Sequence, residues 1–214
     1  LIVMLGALLG TEMVLTVTQM LWVNLIMDTF AALALASLPP SEMVMKEKPR
    51  SREANIITKP MMWSIFGVGI FFVLLMFGLV QYFKHADVTS LADFSFADYF
   101  KNYFNFNSSQ GISPVEQTFI FSIVVFLQSW NLFNAKAFHS EGSALKGLFN
   151  KDVLAGFGLA LLVICGGQYL IVTFGGEMFN VAPLKMIDWL YIIVGTFPVL
   201  FVGEAMRAIK KLLS

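Results

Sequence analysis

Two oxygen-bearing side chains, Asn24 and Asp28, stand four residues apart inside the apolar stretch that runs from Gln19 to Ala36. Helical geometry places residues i and i+4 on one face, one above the other. A carboxylate in a membrane-length helix is costly, by about 2.5–3.5 kcal/mol on insertion scales, so it persists where it faces a cavity, a partner or an ion. An amide oxygen beside a carboxylate suits a hard cation such as calcium, which takes about six to eight oxygen ligands. The same pair could instead hydrogen-bond to neighbouring helices. As an ion site it is incomplete, and further carboxylates or backbone carbonyls must come from elsewhere.

A second polar row, Gln128, Asn131 and Asn134, recurs at a spacing of three in a later apolar run. No charge accompanies it, so hydrogen bonding between helices is the favoured reading, with neutral oxygens for an ion as the alternative. Glu204 and Arg207, spaced i,i+3, read as an interfacial ion pair. Pro198 is expected to kink the last apolar run. The glycines Gly156, Gly158, Gly166 and Gly167 suit close helix packing. His85 and His139 have no second ligand at zinc-site spacing, and Glu12 reads as a solvated turn residue. Neither a Walker A pattern, nor a dinucleotide-binding glycine loop, nor a Ser/His/Asp arrangement is present.

The elements that must position these residues are apolar helices. The chain is 57% hydrophobic and only 13% charged, against about 25% charged for a soluble domain. Its formal net charge is zero, so nothing argues for nucleic acid as a partner; the expected surroundings are the lipid bilayer. The single cysteine, Cys165, excludes an internal disulfide. A span needs about 20 apolar residues. Five such runs occur, near 17–38, 61–83, 117–138, 153–174 and 187–206, and residues 1–9 read as part of another span. The loops 39–60 and 139–152 are short and basic, whereas 84–116 and 175–186 are not.

Eleven of the 14 basic residues, among them Lys46, Lys48, Arg50, Arg52, Lys136 and Arg207, fall on one side of that arrangement. Lys84, Lys101 and Lys185 fall on the other. The positive-inside rule then makes loops 39–60 and 139–152 and the C-terminus cytoplasmic, and loops 84–116 and 175–186 external. Trp22, Trp63, Trp189 and Tyr191 sit near span ends, as interfacial aromatics do. The expected fold is an all-α membrane protein, a helical bundle forming one domain over residues 1–214.

The stretch from Gln19 to Asp28 resembles the sixth transmembrane helix of P-type calcium-transporting ATPases, above all the plasma-membrane type or a bacterial relative of it. Similarity continues through Ala34–Ala36, Pro39-Pro40 and Asn55–Lys59, returns at Phe126–Lys136 and Phe174–Asn180, and closes around Trp189. Loop 84–116 is the least similar part. The resemblance implies the C-terminal transmembrane region of such a pump, from the end of helix five through helix ten. It implies that Asn24 and Asp28 are calcium ligands. Pumps that move two ions have a Thr where this chain has Met27, and a Glu where it has Gln128. One calcium per cycle is therefore expected, with Gln128 the weaker candidate ligand.

It further implies that catalysis belongs to the remainder of the pump, helices one to five and the cytoplasmic domains. There ATP and magnesium would be bound and an aspartate phosphorylated. No catalytic residue is expected among residues 1–214, and this stretch by itself should be inactive. A buried carboxylate that has lost its ion is neutralised most cheaply by a proton, which would make a proton the counter-ion. The expected location is a plasma membrane or bacterial inner membrane, crossed several times. Two alternatives stay open: a P-type pump for manganese, sodium or potassium, and a non-enzymatic membrane binding or scaffold protein.

Overall fold

The computed structural model of the chain describes residues 3, 14–38, 57, 59–107, 111–137 and 153–213. The partial span at 1–9, Glu12, nearly all of loop 39–60 with its basic cluster, and loop 139–152 with His139 lie outside the described residues. All regular structure among the described residues is helical. Five helical segments are long and apolar enough to cross a membrane: Val17–Ala36, Met61–Phe83, Pro114–Lys136, Ala155–Phe174 and Met186–Ala208.

We label the helices in chain order. Helix α1, Val17–Ala36, carries a π-helical segment, Trp22–Met27. Helix α2 is Lys59–Phe83. A 3-10 turn at Leu91–Asp93 and a short helix α3, Phe96–Asn102, follow. Helix α4 is Pro114–Lys136. A second π segment, Leu154–Gly158, leads into α5, Leu159–Phe174. A single turn, α6 (Gly176–Phe179), precedes α7 (Met186–Thr196) and α8 (Val199–Leu213).

Helix α4 is the pillar of the bundle. Its apolar window is 78% buried, against 24–39% for the other four spans, so the others pack around it and leave most of their own surface uncovered by the described residues. Phe119, Ile120, Phe121, Val125 and Leu127 are fully or almost fully buried along it. They pack with Met76 and Phe83 of α2, Ile164 of α5 and Ile192 of α7. A second cluster, at the other end of α4, joins Phe133 to Ala34, Phe157, Ala160 and Leu200.

Helix α4 starts at Pro114, three residues before the apolar run, and its start is chemically specified. Ser113 accepts from the Glu116 amide while Glu116 accepts from the Ser113 amide, a reciprocal capping box, and Pro occupies the first turn where no amide hydrogen is needed. The last span breaks at Phe197-Pro198, between α7 and α8, because proline has no amide hydrogen to continue the ladder. The described part of loop 84–116 is tied to the bundle by two buried carboxylates. Buried Asp188 of α7 accepts from the Ser90 hydroxyl at 2.7 Å and the Leu91 amide at 2.8 Å. Buried Glu116 accepts from the Val88 amide at 3.1 Å. These two carboxylates pin the loop onto the ends of α4 and α7.

Candidate functional site

Helix α1 is anchored at both ends, and the polar pair lies between. At its start Thr16 and Gln19 form another capping box. The buried Gln19 amide also donates to the Phe179 carbonyl at 2.8 Å, and the Thr18 hydroxyl to the Met178 carbonyl at 3.0 Å. These bonds tie the helix to the α6 turn. That turn ends at Asn180, in the left-handed region at φ 49°, with its side-chain amide donating to Gln117 of α4. At the far end of α1, the Ser37 hydroxyl donates back to the Ala34 carbonyl at 2.8 Å.

Between these anchors the backbone leaves α geometry. The π segment Trp22–Met27 contains Asn24 and leads directly into Asp28. A π turn bonds i to i+5, which widens the helix; such turns recur at functional sites. Here the Thr29 hydroxyl donates to the Leu25 carbonyl. Val23 and Met27 are buried on the inner side of this segment, whereas Asn24 and Asp28 are exposed on the outer side. One face thus packs and the other presents an amide and a carboxylate. No side-chain hydrogen bond holds Asn24 or Asp28 to any other described residue.

The register of α1 is set by α5. Gly167 receives the Trp22 ring: a Cβ on Gly167 would lie 2.5 Å from Trp22 Cη2. Gly156 likewise receives Ser37, with a Cβ there 2.1 Å from its Oγ. Gly166, one residue before Gly167, faces open space. The adjacent glycines therefore differ in role, a distinction that sequence spacing does not reveal.

The second polar row divides. Asn134 is buried and donates to the Val199 carbonyl at 3.0 Å, just past the Pro198 break. Its Oδ1 lies 3.5 Å from Arg207 Nη1, and Arg207 pairs with Glu204 at 2.9 Å. Gly203 makes that approach possible, since a Cβ on it would meet Asn134 Oδ1 at 2.0 Å. Asn131 lies 3.5 Å from Asn134. Gln128 is half-buried on α4, and no side-chain hydrogen bond joins it to Asn24 or Asp28. Sequence reasoning missed Gln168, fully buried on α5, whose amide donates to the Ser122 hydroxyl at 3.2 Å. It also missed the anchoring roles of Asp188 and Glu116. Only Glu116 carried a legible signal, the Ser-x-x-Glu pattern before an apolar run. Among the described residues no cluster of three His, Cys, Asp or Glu side chains could hold a metal by itself.

The family profile described as "Cation transporting ATPase, C-terminus" matches residues 12–209. The chain is 34% identical over 191 residues to human plasma membrane calcium-transporting ATPase 3, covering 87% of this chain and 14% of that protein. It is 32% identical over 205 residues to mouse plasma membrane calcium-transporting ATPase 1, covering 95% of this chain and 16% of that protein. The corresponding ATPase 2 of Oreochromis mossambicus is 32% identical over 188 residues. The chain thus spans 14–16% of the length of these relatives.

Proposed function

We propose, because this chain belongs to the family of cation-transporting ATPase C-terminal regions, that it supplies part of the intramembrane ion site of an ATP-driven calcium pump. The observation that carries the reading is the outward-facing pair Asn24 and Asp28 on a π-widened apolar helix, with no side-chain partner among the described residues. The plasma membrane calcium-transporting ATPases it resembles support calcium as the cargo. Asp28 supplies a charged oxygen and Asn24 a neutral one. The shell of about six to eight oxygens is completed by the rest of the pump and by backbone carbonyls. ATP and magnesium act there too, in the cytoplasmic domains.

One calcium per cycle is the stoichiometry we propose. Met27 is buried, with its thioether turned into the core, and Gln128 brings no charge. A second site would have to be built without either. The site emptied of calcium takes a proton in return. The basic-residue asymmetry supports a cytoplasmic C-terminus, with α3 and α6 on the external side.

In the full-length pump, Asp28→Asn is expected to abolish calcium-dependent phosphorylation by ATP. Phosphorylation with unchanged calcium affinity would refute the site assignment. Counting calcium bound per phosphoenzyme tests the stoichiometry, and two ions per pump would overturn it. Competition by manganese, sodium or potassium in the same assay separates the sister-pump alternative.

A further inference from the structure

Helix α3 has three faces of different chemistry. Tyr99 and Tyr103 point at α2: the Tyr99 hydroxyl donates to the Leu75 carbonyl at 3.2 Å and the Tyr103 hydroxyl to the Leu74 carbonyl at 2.8 Å. Gly78 makes room, since a Cβ there would lie 2.2 Å from the Tyr99 oxygen. Phe96 and Phe100, spaced by four, form a second face that Phe104 extends just past the helix end; the three are 70–78% exposed. Asp98 and Lys101 lie on the third.

Leu74 and Leu75 are eight and nine residues before the end of α2, which at 1.5 Å per residue is about 12–14 Å inside that end. The tyrosines therefore dock against a stretch of α2 well within the span, while the charged face points the other way. Leaving each phenylalanine in water rather than apolar surroundings would cost about 1.5–3 kcal/mol. This arrangement, an apolar arc opposite a charged one, is that of a helix lying in the membrane interface.

Beneath α3 lies a cavity of about 360 Å³, walled by α2, α4 and α7 through Leu79, Leu127, Ile192 and Thr196 and roofed by Phe94, Phe96 and Phe100. Its volume falls within the range of about 300–1,000 Å³ usual for ligand pockets. Of the three hydroxyls that line it, Tyr191's is at the exposed rim and the two deeper ones are already occupied. Thr196 accepts from Trp130 Nε1 at 3.0 Å and donates to the Ile192 carbonyl at 2.6 Å, and Tyr99 is bonded to Leu75. A polar headgroup or an ion finds no waiting partner in them; a hydrocarbon chain needs none. Tyr191 and Phe100 at its rim are exposed, as are Leu190 of α7 and Leu74 and Ile70 of α2. Both helices belong to segments long and apolar enough to cross a membrane, where hydrocarbon is the surrounding solvent. Gly195 lines the cavity and has open space where a Cβ would stand.

We propose that this cavity seats one acyl chain of a bilayer lipid and that α3 is the interfacial helix closing over it. The chain enters from the leaflet at which α2 ends and α4 begins. Gly195 leaves room for it.

The test reconstitutes the full-length protein in nanodiscs of phosphatidylcholine bearing a mid-chain diazirine, irradiates, and maps adducts by mass spectrometry. Adducts are expected on Leu79, Leu91 and Ile123, which line the cavity and are buried but keep 7–8% of their surface accessible, as well as on Leu162 and Leu170 of the exposed α5 face. Labelling of Leu162 and Leu170 without Leu79, Leu91 or Ile123 overturns the proposal, and the unmodified protein alone decides this. Gly195→Leu fills the cavity. Each excluded methylene is worth about a fourfold change in occupancy, so adducts on Leu79, Leu91 and Ile123 should fall at least about tenfold with Leu162 labelling unchanged. Undiminished cavity labelling in a folded Gly195→Leu protein also overturns it.

Discussion

Asp28 and Asp188 are both aspartates on apolar helices, and their surroundings are opposite. Asp188 is 1% exposed and accepts two hydrogen bonds, from Ser90 and Leu91. Asp28 is exposed and takes no side-chain partner among the described residues. The first is consumed by the fold, because its hydrogen bonds offset the cost of burying charge. The second has no such bond among the described residues, and the proposed ion site rests on that difference. On this proposal, which acids belong to the architecture and which to the chemistry is decided by what already satisfies them.

Exchanging the two losses is the sharpest way to break this comparison. In the full-length pump, Asp28→Asn should eliminate calcium-dependent phosphorylation while changing thermal stability by no more than about 0.5 kcal/mol, since no side-chain hydrogen bond is lost. Asp188→Ala should do the reverse. It strands a buried hydroxyl and a buried amide, at about 1–3 kcal/mol each, and so should lower the melting temperature while the surviving folded protein keeps its calcium affinity. If Asp28→Asn destabilises as much as Asp188→Ala, the division between the two acids fails.

A smaller effect is expected from the glycine pair on α5. Gly167→Ala drives a methyl into the Trp22 ring at the start of the π segment, an overpacking change worth about 1–3 kcal/mol. Because Asn24 sits in that segment, apparent calcium affinity should weaken along with stability. Gly166→Ala meets open space and should change neither. Calcium titration of phosphoenzyme formation in the two variants is the measurement, and equal behaviour would remove the coupling between Trp22 packing and the ion pair.

The helical character of the chain was legible because hydropathy is a property of single segments, and so was the placing of Asn24 and Asp28 on one helix face, which follows from their i,i+4 spacing. The Pro198 break and the Glu204–Arg207 pair were legible for the same reason. What escaped was whatever depends on two distant segments meeting. The π turn at Trp22–Met27 has no periodic signature of its own; the Trp22 ring at its start seats against Gly167 of another span. Nothing within loop 84–116 announces that Asp188, about a hundred residues later, holds its Ser90–Leu91 turn. Gly78 gives no sign in the sequence of the Tyr99 ring that lies over it.

The smallest expected effect concerns that last contact and separates α3 from an ordinary solvated loop. Burial, and secondarily the neighbouring Tyr103, pushes the Tyr99 phenol up from 10.0 to about 12. The neutral phenol is the form that donates to the Leu75 carbonyl, so the docked state binds this proton more tightly than the undocked state does. Its contribution to α3 docking is fully present below about pH 10, declines between about pH 10 and 12, and is pH-independent above that range. Titration of tyrosinate absorbance should therefore show a component appearing only near pH 12 that Tyr99→Phe removes. A Tyr99 that titrates near 10 would place it in water and α3 away from α2. The phenylalanine face would then have no reason to lie at the depth of the span, and the roof over the cavity would be lost with it.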